Sequence, residues 1–463
     1  MTRNAPRRTR HFVLATAVAA SLTAGLLTVT TGTATAATPA KYADDFNGDG
    51  YRDYAVGDSG SVTVTYGTAT GPGTKVKTFN QNSAGIPGTA GDAGGYGDGF
   101  GHSLANADFN RDGYADLAVG DHSEKVSGKV AAGAVTIVWG SPSGLGSSAT
   151  RLSVTAHSYY GFGDSLATGD FNGDGKADLA VADSTTTTYI YRGGFAKSGT
   201  TGKVTKHVPS PSVADILEPT ALVAGKVTKD KATDLYVLGQ GYIDKNDKMT
   251  QAAWFLRGGT TVKSGKFTTY NASSPDYSPT GVIADFDKNG YGDLAVSDTP
   301  YNKGAGSVVV LRGGASGPTT NYRLTQSTSG IATAATKNDG FGYALSAGDT
   351  NRDGYPDLAV GVPEEKVGSV TYAGGVHVLR GGKTGLTGTA SQWFTRTSAG
   401  VPGSAGQYSM FGLYVRLRDL DRDGDADLLI SDSDTPSVLL PAGPTGITTG
   451  SATEPELRAD FPQ

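Results

Sequence analysis

The chain has 463 residues, 39 Lys+Arg against 44 Asp+Glu, 68 glycines and no cysteine. Its net charge of −5 excludes a counterion-driven grip on nucleic acid or anionic lipid as the main binding mode. The missing cysteines exclude disulfides as the staple of the fold, and a single hydrophobic core stops growing well short of this length, so the chain must divide or repeat.

In chain order, Arg3, Arg7, Arg8 and Arg10 come first, then an apolar stretch over 12–29, then small residues ending in Ala34-Thr35-Ala36. That is the layout of a secretory signal peptide with an A-x-A cleavage site. Residues 1–36 are therefore read as a signal and 37–463 as a mature protein destined for the outside of the cell. Without the four arginines, 35 Lys+Arg face 44 Asp+Glu, a net charge of about −9. No later segment approaches the 18 apolar residues of a membrane span.

The remainder repeats. Related stretches begin at Asp45 (DFNGDGYRDYAVGD), Asp108 (DFNRDGYADLAVGD), Asp170 (DFNGDGKADLAVAD), Asp285 (DFDKNGYGDLAVSD), Asp349 (DTNRDGYPDLAVGV) and Asp419 (DLDRDGDADLLISD). A degraded copy, KVTKDKATDLYVLG, starts at Lys226. The period is about 60 residues, which marks a repeat architecture. Behind each copy comes a β-branched segment closed by a Gly turn, such as AVTIVWG (134–140) or VVVLRGG (308–314). No stretch sustains a helical apolar period. Each unit therefore reads as one four-stranded sheet: a short strand into the loop, the DLAVG strand, the VxVLRGG strand and an outer one. Seven such sheets predict an all-β fold, a seven-bladed β-propeller, with a linear stack as the alternative.

The loops have the pattern D-x-[ND]-x-[DN]-G-x-x-D. Oxygens at positions 1, 3, 5 and 9, with the carbonyl of position 7, can wrap one hard cation, and the Gly at position 6 permits the sharp turn. The candidate ligands are Asp45, Asn47, Asp49, Tyr51 and Asp53, then Asp108, Asn110, Asp112, Tyr114 and Asp116, then Asp170, Asn172, Asp174, Lys176 and Asp178. The later loops offer Asp285, Asp287, Asn289, Tyr291 and Asp293; Asp349, Asn351, Asp353, Tyr355 and Asp357; and Asp419, Asp421, Asp423, Asp425 and Asp427. The residue at position 7 serves through its carbonyl. A flexible loop rich in oxygens favours Ca²⁺ over Mg²⁺, so about six structural calcium ions are expected. The side-chain positions hold 19 of the 44 acidic residues, a density that would repel itself without cations. In the degraded copy, Lys226, Thr228 and Lys231 replace two ligands and the Gly. No metal is expected there, and the Lys226 ammonium is expected to sit between Asp230 and Asp234.

GFGHSLANADFN (99–110), GFGDSLATGDFN (161–172) and GFGYALSAGDTN (340–351) place Phe-Gly just ahead of the strand into each loop, with a looser version at 410–421. Together with DLAVG, this resembles the FG-GAP repeat of the integrin α-subunit N-terminal propeller. The resemblance implies seven blades with calcium in hairpins on one face and ligand binding on the opposite face. Copies four and five lack Phe-Gly, and how the termini close the ring stays open.

No catalytic constellation stands out. Ser103 in GHSLA imitates a nucleophile elbow, which needs a strand–helix context absent here. His102, His122, His157, His207 and His377 show no metal spacing and read as surface or packing residues. Trp139 and Trp254 fall in the regular third strand and read as packing, and Trp393 stays open. The loops that differ between copies, 85–99, 121–133, 239–251 and 363–375, are the expected location of any ligand site. The sequence thus reads as a secreted, monomeric, calcium-binding module for extracellular protein or glycan, with no nucleic-acid partner and no membrane attachment after signal cleavage. A glycan-cleaving lyase or hydrolase and a structural envelope component are the alternatives.

Overall fold

The computed structural model describes residues 38–58, 60–91, 99–210, 217–242, 249–271, 278–433 and 436–462. The predicted signal, 1–36, lies outside the described residues. Seven antiparallel sheets follow one another along the chain, each built from strands in sequential order. They form a seven-bladed β-propeller. Blade 2 illustrates the unit: an inner strand Ser103–Ala107, then Asp116–Asp121, Ala134–Val138 and an outer strand Ala149–Arg151. The middle two strands are buried throughout, which is why both are short continuous apolar runs rather than alternating ones. Outer strands meet water, as in blade 4, where Lys263–Asn271 is largely exposed.

The core is a ring of interfaces. Apolar residues fall into seven clusters, and each joins two neighbouring blades. The Phe-Gly signature works at these joints. Phe162, Phe341 and Phe411 are buried, and each forms a parallel bridge to a glycine of the preceding blade: Gly133, Gly306 and Gly374. Gly133 has φ +80°, and a Cβ there would lie 2.1 Å from the Phe162 nitrogen, so only glycine permits the contact.

Closure of the ring, open in the sequence, has a structural answer. Blade 1 has three strands, Tyr54–Asp58, Ser61–Thr68 and Gly71–Phe79, and its first corresponds to the second strand of blade 2. Residues 457–461 pack at the joint between blades 1 and 7. Leu457, Ala459 and Phe461 are buried against Tyr54 and Val56 of blade 1 and Leu420 and Leu429 of blade 7, with the Tyr54 and Phe461 rings 5.1 Å apart. Arg418 ties the junction by donating to Asp44 at 2.6 Å and to the carbonyl of Pro462 at 2.9 Å. The axial channel is a cavity of about 430 Å³ lined by inner-strand residues such as Leu104, Leu166, Leu222 and Ile283, with Pro462. Among the described residues, no acid or base lines it. Among the described residues, no helix is long and apolar enough to cross a membrane.

Candidate functional site

Hairpins alternate between the two faces of a propeller, so the acidic loops, each joining first and second strands, share one face. Each intact loop is a nest of side-chain-to-backbone bonds. In the first, Asp45 accepts from the N–H groups of Gly48, Asp49 and Gly50 at 2.7, 3.1 and 2.8 Å. Asn47 accepts from Asp49 N–H at 2.9 Å, and Asp49 from Tyr51 N–H at 2.9 Å. The third loop repeats the set on Asp170, Asn172 and Asp174. The second does so on Asp108, Asn110 and Asp112. The fifth and sixth follow with Asp285, Asp287 and Asn289 and with Asp349, Asn351 and Asp353. The turn needs a left-handed residue at position 4 as well as at the Gly of position 6. Gly48, Arg111, Gly173, Lys288, Arg352 and Arg422 have φ between +57° and +76°. Sequence reasoning missed this position because Arg and Lys carry no turn signal.

The seventh loop is the one whose carboxylates converge most. Asp419, Asp421 and Asp423 bring ligand atoms within 4.8 Å of one another. Among the described residues, Asp419 Oδ1 and Asp425 Oδ1 are buried without hydrogen-bond partners; the Arg352 guanidinium pairs with Asp425 Oδ2 at 3.2 Å and with Asp423 at 2.9 Å. In the fifth loop Asp293 Oδ2 is likewise orphaned. Unpartnered oxygens in a cluster of carboxylates fit a hard divalent cation.

Position 9 has a second duty. Asp53 accepts from Phe46 N–H at 2.8 Å and Gly67 N–H at 2.9 Å, so one carboxylate pins the loop to the end of the third strand. Asp116, Asp178, Asp357 and Asp427 do the same. Burial pushes these carboxyls up, Asp116 to about 8 and Asp53 to about 7, with the loop's own carboxylates adding to the shift. Asp234 makes the same two bonds, to Thr228 N–H at 2.7 Å and Gly258 N–H at 2.9 Å, although its loop is degraded. That explains why this copy keeps Asp234 after losing the ligands at positions 1 and 3.

The expected place of Lys226 is corrected. Its ammonium donates to the carbonyl of Lys231, Asp230 pairs with Arg257 at 3.1 Å, and the oxygens of Asp234 are taken by backbone N–H groups. With both Asp234 oxygens already bonded by Thr228 and Gly258, the lysine turns to a carbonyl instead.

Neighbouring loops also touch. The position 4 cations Lys229, Lys288 and Arg422 lie over the position 7 rings Tyr291, Tyr355 and Tyr51 at 4.2, 5.2 and 5.0 Å. Backbone bonds run alongside: Ala115 N–H donates to Asp45 O, Thr233 to Asp170 O, Gly292 to Lys226 O and Ala426 to Asp349 O. The acidic face is thereby a connected rim.

The opposite face carries the loops that differ between blades. The described parts of 85–99, 121–133, 239–251 and 363–375 all lie there. The 121–133 and 363–375 loops are built alike: Gly133 N–H donates to Glu124 O and Gly374 N–H to Glu365 O. They present different chemistry, because Glu124 pairs with Arg151 at 2.5 Å whereas Glu365 accepts from Gln326 at 2.7 Å. Among the described residues, the exposed tyrosines Tyr159, Tyr160, Tyr301, Tyr343 and Tyr408 all fall on this face, with Tyr159 62% and Tyr408 55% exposed. They sit beside Phe-Gly turns or between second and third strands. Scattered single tyrosines in sequence give no sign of this gathering.

The decoys resolve. Ser103 Oγ donates to the carbonyl of Gly163 at 2.7 Å, linking blades 2 and 3. Trp139 and Trp254 are buried and donate to Thr150 and Ser264 of their outer strands. Trp393 packs on the buried ring of His377, 4.2 Å away. Two of the histidines meet although their linear spacing does not show it. His102, just ahead of the inner strand of blade 2, and His122, just behind its second strand, meet with ring centroids 4.1 Å apart. Asp164, the residue of blade 3 equivalent to His102, stands 3.6 Å from His102 Nε2. Strand pairing, which sets Ser103 opposite Gly120, brings the histidines together; linear spacing hides it.

Comparison with known proteins agrees with this architecture. The FG-GAP repeat model matches residues 341–379, and the FG-GAP-like repeat model matches 45–119 and 108–181. Phosphatidylinositol-glycan-specific phospholipase D of Rattus norvegicus is 32% identical over 176 residues, 36% of this chain and 20% of that protein. Integrin alpha-PS2 of Drosophila melanogaster is 28% identical over 239 residues, 46% of this chain and 16% of that protein. The chain spans about a fifth of the length of these curated relatives. Among solved structures, an Agrocybe aegerita lectin that recognises non-reducing terminal N-acetylglucosamine covers 88% of this chain and 90% of its own, at 13% identity and a TM-score of 0.44.

Proposed function

Because the chain is an FG-GAP repeat protein resembling the propeller of integrin α-subunits, we propose that it acts outside the cell as a calcium-stabilised binding module for a protein or glycan. The observation that carries this reading is the division of labour between the faces. On one face, near-identical acidic loops are bonded into a rim; on the other, blade-specific loops surround Tyr159, Tyr160, Tyr301, Tyr343 and Tyr408. Exposed aromatics offer large rigid contact area at low entropic cost and stack on sugar rings or apolar side chains. Asp45, Asn47, Asp49 and the Tyr51 carbonyl, and their counterparts in loops two, three, five, six and seven, would hold the calcium ions. The ninth carboxylates can contribute a remaining lone pair while anchoring the third strand. Bound calcium supplies positive charge to loops whose carboxylates otherwise repel one another.

The test is to present immobilised extracellular proteins and envelope polysaccharides to the purified protein in calcium, then repeat with Tyr159→Ala/Tyr160→Ala and Tyr408→Ala variants. Retention by the parent and loss of at least about tenfold in affinity in these variants, at unchanged melting midpoint, is the expected result, since aromatic anchors carry interface energy. Cleaved product released from a polysaccharide would instead mean an enzyme. No retention on any surface would leave a structural role.

A further inference from the structure

We propose that His102, His122 and Asp164 form a binding site for a divalent transition-metal ion, with Zn²⁺ as the test ion, on the face opposite the acidic loops. The site stands apart from the calcium reading in residues, position and ligand chemistry. Two imidazoles and one carboxylate are a borderline-soft donor set that suits zinc and its neighbours, whereas all-oxygen loops suit calcium. The three side chains bring one ligand atom each within 4.8 Å of one another. The measured pair, His102 Nε2 to Asp164 Oδ1, is 3.6 Å, close to the ligand–ligand edge of about 3.4 Å that zinc bond lengths give in a tetrahedron.

A second observation points to a missing partner. His122 Nδ1 is buried and has no hydrogen-bond partner among the described residues, which is uncommon for a buried ring nitrogen. The missing side chain at Gly99 leaves space beside it: a Cβ at residue 99 would lie 3.2 Å from that nitrogen and 2.8 Å from Asp121 and Ser123 oxygens. The two rings lie with centroids 4.1 Å apart, close enough to share one ion.

The supports are rigid. His102 is fixed between Gly101, whose N–H donates to Gly120 O, and Ser103, whose hydroxyl reaches Gly163. Asp164 N–H donates to Gly161 O and Ala182 O. Strand ends of blades 2 and 3 thus hold all three ligands, which keeps the geometry from depending on a loose loop. The His102 side chain is 44% exposed, so the remaining coordination positions face solvent on the tyrosine-bearing face. A donor atom from a bound partner or water can complete the shell.

The experiment uses the full protein, stripped with chelator and returned to about 1 mM calcium to fill the oxygen loops. Zn²⁺ is titrated calorimetrically, and Co²⁺ is added separately to read visible d–d bands. One zinc equivalent, with cobalt bands typical of a nitrogen–oxygen site, is expected. His102→Ala, His122→Ala and Asp164→Asn should each weaken zinc by about tenfold or more, while His157→Ala, an exposed histidine outside the cluster, should not. His102→Ala alters an exposed side chain and should keep the parent's melting midpoint, so loss of zinc there is loss of a ligand. Absence of zinc binding by the parent, retention of it in His102→Ala and His122→Ala, or equal loss in His157→Ala would overturn the proposal.

Discussion

Asp234 separates two roles that the other loops superimpose. In the intact copies the ninth carboxylate is both a candidate calcium ligand and a clamp on two backbone N–H groups; in the degraded copy only the clamp is left. Asp234→Ala strands the buried N–H groups of Thr228 and Gly258 and should cost about 2–4 kcal/mol. Denaturant unfolding measures the loss, and calcium stoichiometry should stay the same; a drop in bound calcium would place a metal in this loop. His377 offers a titration far from the acidic rim. Buried between Phe341 and Trp393, with Nε2 bonded to Thr333, it is pushed down to about 3 by desolvation. The unfolded ring titrates near about 6.5, so its contribution is complete above that pH and is lost as pH falls toward 3. By pH 5 the loss should reach about 2 kcal/mol. His377→Gln removes the titration, and its midpoint should fall less than the parent's between pH 7 and pH 5. Parallel falls would contradict the assignment.

At the scale of the element, the loop and strand pattern was legible because both are local: ligand spacing, the Gly at position 6 and the short apolar runs lie within about twenty residues. What escaped was set by register and by neighbours. His102 and His122 meet across an antiparallel pair, and Asp164 joins them from the next blade. Lys226 was expected on the strength of charge alone, but backbone donors had already claimed the carboxylate it was assigned. The left-handed Arg111, Lys288, Arg352 and Arg422 are invisible to composition. The Phe-Gly turns were recognised as a signature; at Phe162, Phe341 and Phe411 their work is to lock a blade to the one before it. Phe341→Ala should therefore cost about 3–5 kcal/mol, read as a lowered unfolding midpoint. An effect of only a few tenths of a kcal/mol would mean that the joint is held elsewhere.

For the whole molecule, seven interface clusters among the described residues make a closed ring in which no blade stands alone, and residues 457–461 fill the joint between blade 7 and blade 1, the blade that lacks an inner strand of its own. The seven-blade count followed from the repeats; the closure did not, because the closing segment carries no repeat signature. A ring without disulfides has its acidic loops linked along one rim, so cations bound there would act on all the joints together. At about ten times the dissociation constant, six sites would add about 8 kcal/mol, which for a chain of this size is a shift of about 10 °C in midpoint. The direct measurement is a melt of the purified protein in millimolar calcium and again after chelation, with bound calcium counted by equilibrium dialysis. Calcium stabilisation of the ring predicts about six ions and a midpoint lower by about 10 °C once they are removed. An unchanged midpoint with no calcium bound would contradict it.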